Sequence, residues 1–287
     1  MDDDAAAETA LARLLARSQR VVFFTGAGVS TESGIPDFRS AGGVWTRYDP
    51  RQLTFQRYVA SADVRALHWQ MRREFFAVGA RPNPAHRAIA AMEAGGRSLG
   101  VITQNIDGLH TEAGSATVVE LHGTARRVAC IGAEPLDGVP AGCGWSADTS
   151  WAFERLDAGD PDPRCPACAG LVKSATVSFG QAMDAGALAR ADDLLARADA
   201  VVVVGSSLQV YPAAGLPARA AARGVPCAIV NREPTPLDDD VDVVVLGSAA
   251  QVLPRAVGNP VDNAVGNPVS KAVSAGSTPR PGPGGAG

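Results

Sequence analysis

The pentapeptide Val21-Val22-Phe23-Phe24-Thr25 leaves almost no position to face water, and it stops on Gly26-Ala27-Gly28. A strand that alternates apolar and polar residues can keep one face wet. A strand apolar on both faces must be covered on both, as a central strand of a parallel sheet is. Similar short runs recur at 99–103, 118–121, 201–205, 227–231 and 241–246. Segments of helical period lie among them at 63–78, 84–94, 187–198 and 213–223, with Gly95 and Gly224 as stops. This alternation predicts an α/β fold with an open, doubly wound, mostly parallel Rossmann-like sheet. A chain of 287 residues, 46% of them hydrophobic, has the material to cover such a sheet on both sides.

Two regions break the rhythm. Residues 124–173 are rich in Gly, Pro and Cys and have no strong period, which predicts a small inserted module. From 258 onward the chain reads as a Gly/Pro-rich stretch in which AVGNPV occurs at 256–261 and again at 264–269. Two copies are too few for a solenoid, so the expectation is a folded domain over 1–257 and a flexible tail over 258–287. The acidic start Met1-Asp2-Asp3-Asp4 lacks the basic and apolar regions of a secretory signal, and no apolar run approaches the ~20 residues of a membrane span. With 26 basic and 30 acidic residues there is no electrostatic footprint for nucleic acid. The expected setting is cytoplasmic, with neither nucleic acid nor membrane as a partner. In a reducing compartment the cluster Cys130, Cys143, Cys165 and Cys168 suggests metal ligands rather than disulfides, while Cys227, alone in a strand-like run, suggests a buried apolar residue.

The strand-to-glycine junction is the place where a dinucleotide pyrophosphate could approach the backbone, next to a helix N-terminus that favours anions. Yet Thr31 stands where the dinucleotide fingerprint has its third glycine, and the acidic residue about 20 positions on, Asp49, lies in the turn Tyr48-Asp49-Pro50 rather than at a strand end. Hydride transfer is therefore disfavoured, and an unusual dinucleotide posture is expected. Two further motifs follow strand-like runs directly, TQNIDGLH at 103–110 and ELHG at 120–123. Gln104, Asn105 and Asp107 suit ribose and carboxamide. His122, at a strand end beside Gly123, stands out from His68, His86 and His110, which read as satisfied structural residues.

GAGVSTESGIPDFRS, TQNIDGLH and ELHG, in that order, resemble the sirtuins, the NAD-dependent protein deacylases; GSSLQVYPAAGLP at 205–217 and VNREPTPLD at 230–238 extend the likeness to about residues 12–257. The resemblance implies a loop that cleaves NAD, without need of the third glycine. It implies that Gly26, Ala27, Gly28, Ser30, Asp37, Phe38, Arg39 and Trp45 line the cofactor loop, and that Gln104, Asn105, Ile106 and Asp107 hold the nicotinamide ribose and carboxamide. Gly205, Ser206 and Ser207 would touch phosphate and ribose, with Asn231, Arg232 and Glu233 at the adenosine ribose. Val177, Phe179, Gly180, Val210 and Tyr211 would clamp an acyl-lysine protein substrate as an added strand. In the implied reaction the acyl oxygen displaces nicotinamide, His122 acts as general base on the ribose hydroxyls, and Asn105 and Asp107 orient ribose and water. The alternatives are a sirtuin-like ADP-ribosyltransferase or NAD hydrolase, and a non-catalytic NAD sensor.

Three departures from the family pattern bear on these expectations. Gln181 replaces a common Glu after Phe-Gly, which implies a modest change in peptide preference. Sirtuins usually bind one structural zinc through two Cys-x2-Cys pairs; here Cys165 and Cys168 keep that spacing, while Cys130 and Cys143 are separated by residues 131–142. Lengthening a loop from about two to twelve residues costs on the order of 1.5 kcal/mol in closure entropy, against roughly 10 kcal/mol or more from structural zinc. A four-cysteine site is therefore expected, the alternative being a degenerate module. Finally, the desuccinylase branch holds acidic acyl groups with a Tyr-x-x-Arg pair, and its preceding loop resembles residues 41–45 here. This chain has Trp69 and Arg72 instead. Trp offers a single N–H, and Arg72 on a helical segment reads as solvated, so neutral acyl groups, chiefly acetyl, are expected.

Overall fold

The computed structural model describes residues 2–37, 43–133 and 141–258. The expectations for Phe38, Arg39, the Trp45 side chain, residues 41–42 and the tail beyond 258 fall outside the described residues. The strands are β1 (Val21–Thr25), β2 (Ser98–Thr103), β3 (Val118–Glu120), β4 (Gly123–Gly132), β5 (Ser146–Asp148), β6 (Leu171–Thr176), β7 (Ala200–Val204), β8 (Cys227–Asn231) and β9 (Val243–Leu246).

Six of them form one parallel sheet in the order β3-β2-β1-β7-β8-β9. β1 is central, and the two-sided apolar pattern that predicted this is used on both faces. Val21 and Phe23 pack with the helices Asp2–Arg17, Pro84–Ala94 and Ala249–Gly258. Val22 and Phe24 pack with the helices Ala185–Arg197 and Gly215–Ala222. Alternate residues of one strand thus belong to two separate cores, as the period of a strand requires.

β4, β5 and β6 make a second, antiparallel sheet in the order β5-β4-β6. This is the inserted module, and it is more regular than composition suggested, since β4 alone runs ten residues. It also recruits segments from far upstream. Trp69, on the helix Ala62–Ala77, packs with Val128, Cys130, Cys165 and Val172, and Phe55 and Tyr58 pack with Ile131 and Leu171. The segment 53–79 therefore belongs with the small sheet rather than with the large one.

Register positions the site. Thr25, Thr103, Glu120, Val204 and Val230 lie side by side at the carboxyl ends of their strands. The strand order reverses between β1 and β7, and in open α/β sheets ligands bind at such a switch point. The segments that begin at Gly26, Gln104, Leu121, Gly205 and Arg232 all leave the sheet on this edge.

Candidate active site

The glycines of the first loop serve close packing. Gly26 donates its N–H to the carbonyl of Val204 at 3.0 Å, and Gly28 donates to that of Gly205 at 2.8 Å. A Cβ on Gly28 would lie 2.8 Å from the Cα of Gly205, and one on Gly205, whose φ is +60°, would lie 2.2 Å from the amide nitrogen of Val29. The loop after β1 and the loop after β7 therefore touch backbone to backbone. The Gly26 and Gly28 amides are thereby engaged with the end of β7 and the loop after it. The following element is a 3-10 helix, Ala27–Ser33, rather than an α-helix. It also shows why Thr31 is tolerated: the close approach that a third glycine would serve is made by Gly205, and the Thr31 hydroxyl donates to the Gly28 carbonyl at 3.1 Å.

Behind this loop lies a buried polar cluster. The Ser30 hydroxyl donates to Asp107 Oδ2 at 2.7 Å and accepts from Asn105 Nδ2 at 3.1 Å. Asp107 Oδ1 accepts from the Leu109 amide at 2.9 Å. Gln104 Nε2 donates to the Ser206 hydroxyl at 2.8 Å, which ties the loop after β2 to that after β7. Asp37 is described at the edge of this region, where its carbonyl accepts from Val44 at 2.9 Å. Asn231, at the end of β8, turns its amide onto the Glu233 carbonyl at 2.7 Å, and Arg232 reaches Glu32 at 3.2 Å.

His122 is half-buried two residues beyond the end of β3, and its Nδ1 lies 2.9 Å from the carbonyl oxygen of Gln104. A carbonyl only accepts, so Nδ1 carries the proton and Nε2 presents a lone pair. Burial holds the imidazole below its usual value of 6.5, opposed by that hydrogen bond. His122 is thus a neutral base with a fixed tautomer. Its own carbonyl accepts from Val177 at 2.8 Å, which joins it to the segment after β6. In that segment Phe179 is 47% exposed and Gly180 exposed, and after β7 Val210 is half-buried and Tyr211 74% exposed.

The four sulfurs of Cys130, Cys143, Cys165 and Cys168 lie within 4.8 Å of one another, with Cys130–Cys168 at 3.5 Å and Cys143–Cys165 at 3.6 Å. A tetrahedral zinc with Zn–S bonds of about 2.3 Å sets its sulfurs roughly 3.8 Å apart, so the cluster fits that ion. The stretched spacing closes because its ends are stems of one hairpin: Cys130 donates its amide to Trp145, and Ala141 donates to Ile131.

The matching family model is the Sir2 family, over residues 26–212. The chain belongs to the Sir2 family. Among relatives, NAD-dependent protein deacetylase 2 of Streptomyces coelicolor is 42% identical over 246 residues, which is 83% of this chain and 98% of the relative. NAD-dependent protein deacylase 2 of Pyrobaculum aerophilum is 40% identical over 247 residues, 86% and 93% of the two chains. A solved structure described as "Structural Basis for the Mechanism and Regulation of Sir2 Enzymes" matches with a TM-score of 0.77 at 41% identity, covering 90% of this chain and 98% of that one. A Sir2–p53 peptide–NAD+ complex matches at 0.74 and 33%, covering 86% and 95%.

Several features of this Sir2 chain were not read from its sequence. Arg126 Nε donates to the Asp107 carbonyl at 2.9 Å while its guanidinium pairs with Glu112, so it braces the 104–107 loop from the small sheet. His110 is buried with Nε2 2.9 Å from the Thr25 hydroxyl, and its Nδ1 has no partner. His68 was expected to be satisfied; its Nε2 is buried without a partner. Arg72 was expected to be solvated, yet its Nε is closed off from water and unpaired. That removes one of the two grounds for expecting only neutral acyl groups. Only the Tyr-x-x-Arg comparison singled out Arg72, and its burial escaped notice because helical period cannot tell a solvated arginine from one folded under a neighbouring sheet.

Proposed function

We propose that this protein is an NAD-dependent protein-lysine deacylase, chiefly a deacetylase, that moves the acyl group from lysine to ADP-ribose and releases nicotinamide. NAD supplies the ribose that is cut from nicotinamide and receives the acyl group. The observation that carries the reading is His122, a neutral imidazole held by a main-chain carbonyl so that Nε2 is free to take a proton from a ribose hydroxyl. Gln104, Asn105, Ile106 and Asp107, braced through Ser30, would hold the nicotinamide ribose and carboxamide; among them Asn105 and Asp107 orient the sugar and the water. Gly26, Ala27, Gly28, Asp37, Gly205, Ser206 and Ser207 would surround the phosphates and the adjoining ribose, and Asn231 to Glu233 the adenosine ribose. Val177, Phe179, Gly180, Val210 and Tyr211 would receive the peptide as an extra strand. Cys130, Cys143, Cys165 and Cys168 would hold one structural zinc, remote from the proton transfer.

The catalytic domain is taken as residues 1–257, and the setting as the cytoplasm, where four thiolates are kept for metal. Among the described residues no helix is long and apolar enough to cross a membrane. Full-length protein incubated with NAD and an acetyl-lysine peptide should yield free lysine, nicotinamide and O-acetyl-ADP-ribose by mass spectrometry. Free ADP-ribose, or an ADP-ribosylated protein, without deacetylation would replace this reading with that of a hydrolase or ADP-ribosyltransferase.

A further inference from the structure

β6 closes one side of the small sheet. It is bonded to β4 on one flank, and its other flank carries an isolated bridge from Arg164 to Leu171 and no strand among the described residues. Main-chain groups alternate along a strand between its two flanks. Val177, just beyond β6, turns its amide to the His122 carbonyl on the β4 side. The carbonyls of Val172, Ser174 and Thr176 therefore face the other way, along the open edge. Bare acceptors on an edge are a liability, and here each is taken. The Tyr58 hydroxyl donates to the Val172 carbonyl at 2.6 Å. The Lys173 ammonium donates to the carbonyls of Ser174 and Thr176, with the Thr176 hydroxyl at 3.5 Å.

Lysine is almost never fully buried unless it is paired. Lys173 is 2% exposed and has no ion pair among the described residues. Burial, and then the charge of Arg72, pull its ammonium down to about 7. Its hydrogen bonds to residues 174 and 176 are the attraction that opposes them, and they grip the last residues of β6. Directly beyond lie Val177 to Gly180. That segment is fastened at Val177 to the His122 carbonyl and at Phe179, whose carbonyl accepts from the Phe55 amide at 2.8 Å. Gln56 Nε2 reaches the Gly180 carbonyl at 3.2 Å. Each of these bonds depends on the direction in which the chain leaves Thr176.

We propose that Lys173 is a positioning residue for the substrate: its ammonium fixes the exit of β6, so that Val177 to Gly180 stand extended and ready to pair with an acyl-lysine peptide. The inference rests on the deacylase reading. Methionine, of similar length, would leave the Ser174 and Thr176 carbonyls without this donor. The exit of β6 then turns toward water, and the extended form of the segment becomes one of several. Peptide binds only the fraction that remains extended, and its apparent Kd rises by the inverse of that fraction. NAD, which the proposed reading sets on the loops after β1, β2, β7 and β8, meets no part of this segment. Lys173 thus acts on one substrate and spares the other.

The test compares full-length wild type with Lys173→Met and Lys173→Arg, well below Tm, with Lys173→Gln replacing the methionine variant should that fold poorly. KM for an acetyl-lysine peptide is expected to rise at least about tenfold in Lys173→Met, as loss of a charge-assisted bond implies, while KM for NAD changes less than about twofold. Lys173→Arg, which keeps the charge and the donors, should recover most of the peptide affinity. A residue that only stabilised the fold would lower Tm without splitting the two constants. An unchanged peptide KM, or both constants rising together, overturns the proposal. Hydrogen exchange keeps this test apart from that of the function. Should wild type turn over no acyl-lysine peptide, faster exchange at Val177 in Lys173→Met, with Asn105 unchanged, sinks the deacylase reading and leaves the positioning of the segment standing. Unchanged exchange at Val177 overturns the positioning as well.

Discussion

Acid should weaken this protein well before its carboxylates protonate, because three histidines are folded in neutral form. Burial is the main cause in each case: it holds His68 and His86 at about 4 and His110 at about 3, against 6.5 in the unfolded chain. At pH 5 each of these residues binds close to one proton when unfolded and almost none when folded. Stability therefore rises with pH across this window and is lost as pH falls below 6.5. The loss levels off near the folded values and is negligible above about pH 7.5. Per histidine the loss by pH 5 is about 1.36 × 1.5, or roughly 2 kcal/mol. Three together approach about 6 kcal/mol, comparable with the 5–15 kcal/mol stability of an ordinary domain. Urea unfolding followed by tryptophan fluorescence, at several pH values and fixed ionic strength, measures this. Zinc release in acid adds its own loss, so the decisive quantity is a difference between proteins. His110→Gln, which cannot titrate, should lose about 2 kcal/mol less than wild type between pH 7.5 and 5. Equal losses in the two proteins would refute the assignment of a buried neutral His110.

Three further outcomes are expected. His122→Ala should cut deacetylation by about 10²–10⁴-fold while exchange of labelled nicotinamide into NAD falls much less; in the wild type the acidic limb of kcat/KM should lie below pH 6.5, since burial lowers this histidine, and near wild-type deacetylation by the variant would remove its role as base. Protein purified without chelator should carry about one equivalent of zinc, and Cys165→Ser should release it and lower Tm; metal analysis settles this. Gly205→Ala should cost at least about 2 kcal/mol in chemical denaturation and weaken NAD binding by calorimetry, because the new methyl falls 2.2 Å from the Val29 amide in a left-handed backbone; unchanged stability would show that the two loops yield freely.

The large sheet was legible because its strands announce themselves twice, by two-sided apolar runs and by the glycines or polar motifs that end them. All six predicted runs are strands of one sheet, two with the expected boundaries and four with boundaries shifted by one or two residues. The small sheet was not legible as strands. β4 carries Arg126 and Arg127 in its middle and β5 is three residues long, so neither shows alternation, and β6 buries Lys173, Ser174 and Thr176 among its six residues. The site divides the same way. His122, Gln104, Asn105 and Asp107 follow strands directly, and the parallel register carries them to one edge. Arg72, His68 and Arg126 act across elements distant in sequence, and only packing shows where a helix face ends up.

The 104–107 loop explains why so many of the motif residues stand or fall together. One main-chain carbonyl of Gln104 sets the tautomer of His122, while the side chain of the same residue holds Ser206 beside Gly205. Two positions on, Asp107 receives Ser30 from the first loop, and its carbonyl is braced by Arg126 from the small sheet. A base positioned through a carbonyl cannot be moved independently of the backbone that supplies it. Removing the Asp107–Ser30 bond would therefore be felt at His122 through the backbone of the loop rather than through a side-chain bond. Effects of substitutions at Ser30, Gln104 and Asp107 should accordingly fail to add in double-mutant cycles, whereas His122→Ala combined with Cys165→Ser, in separate parts of the molecule, should come close to additive.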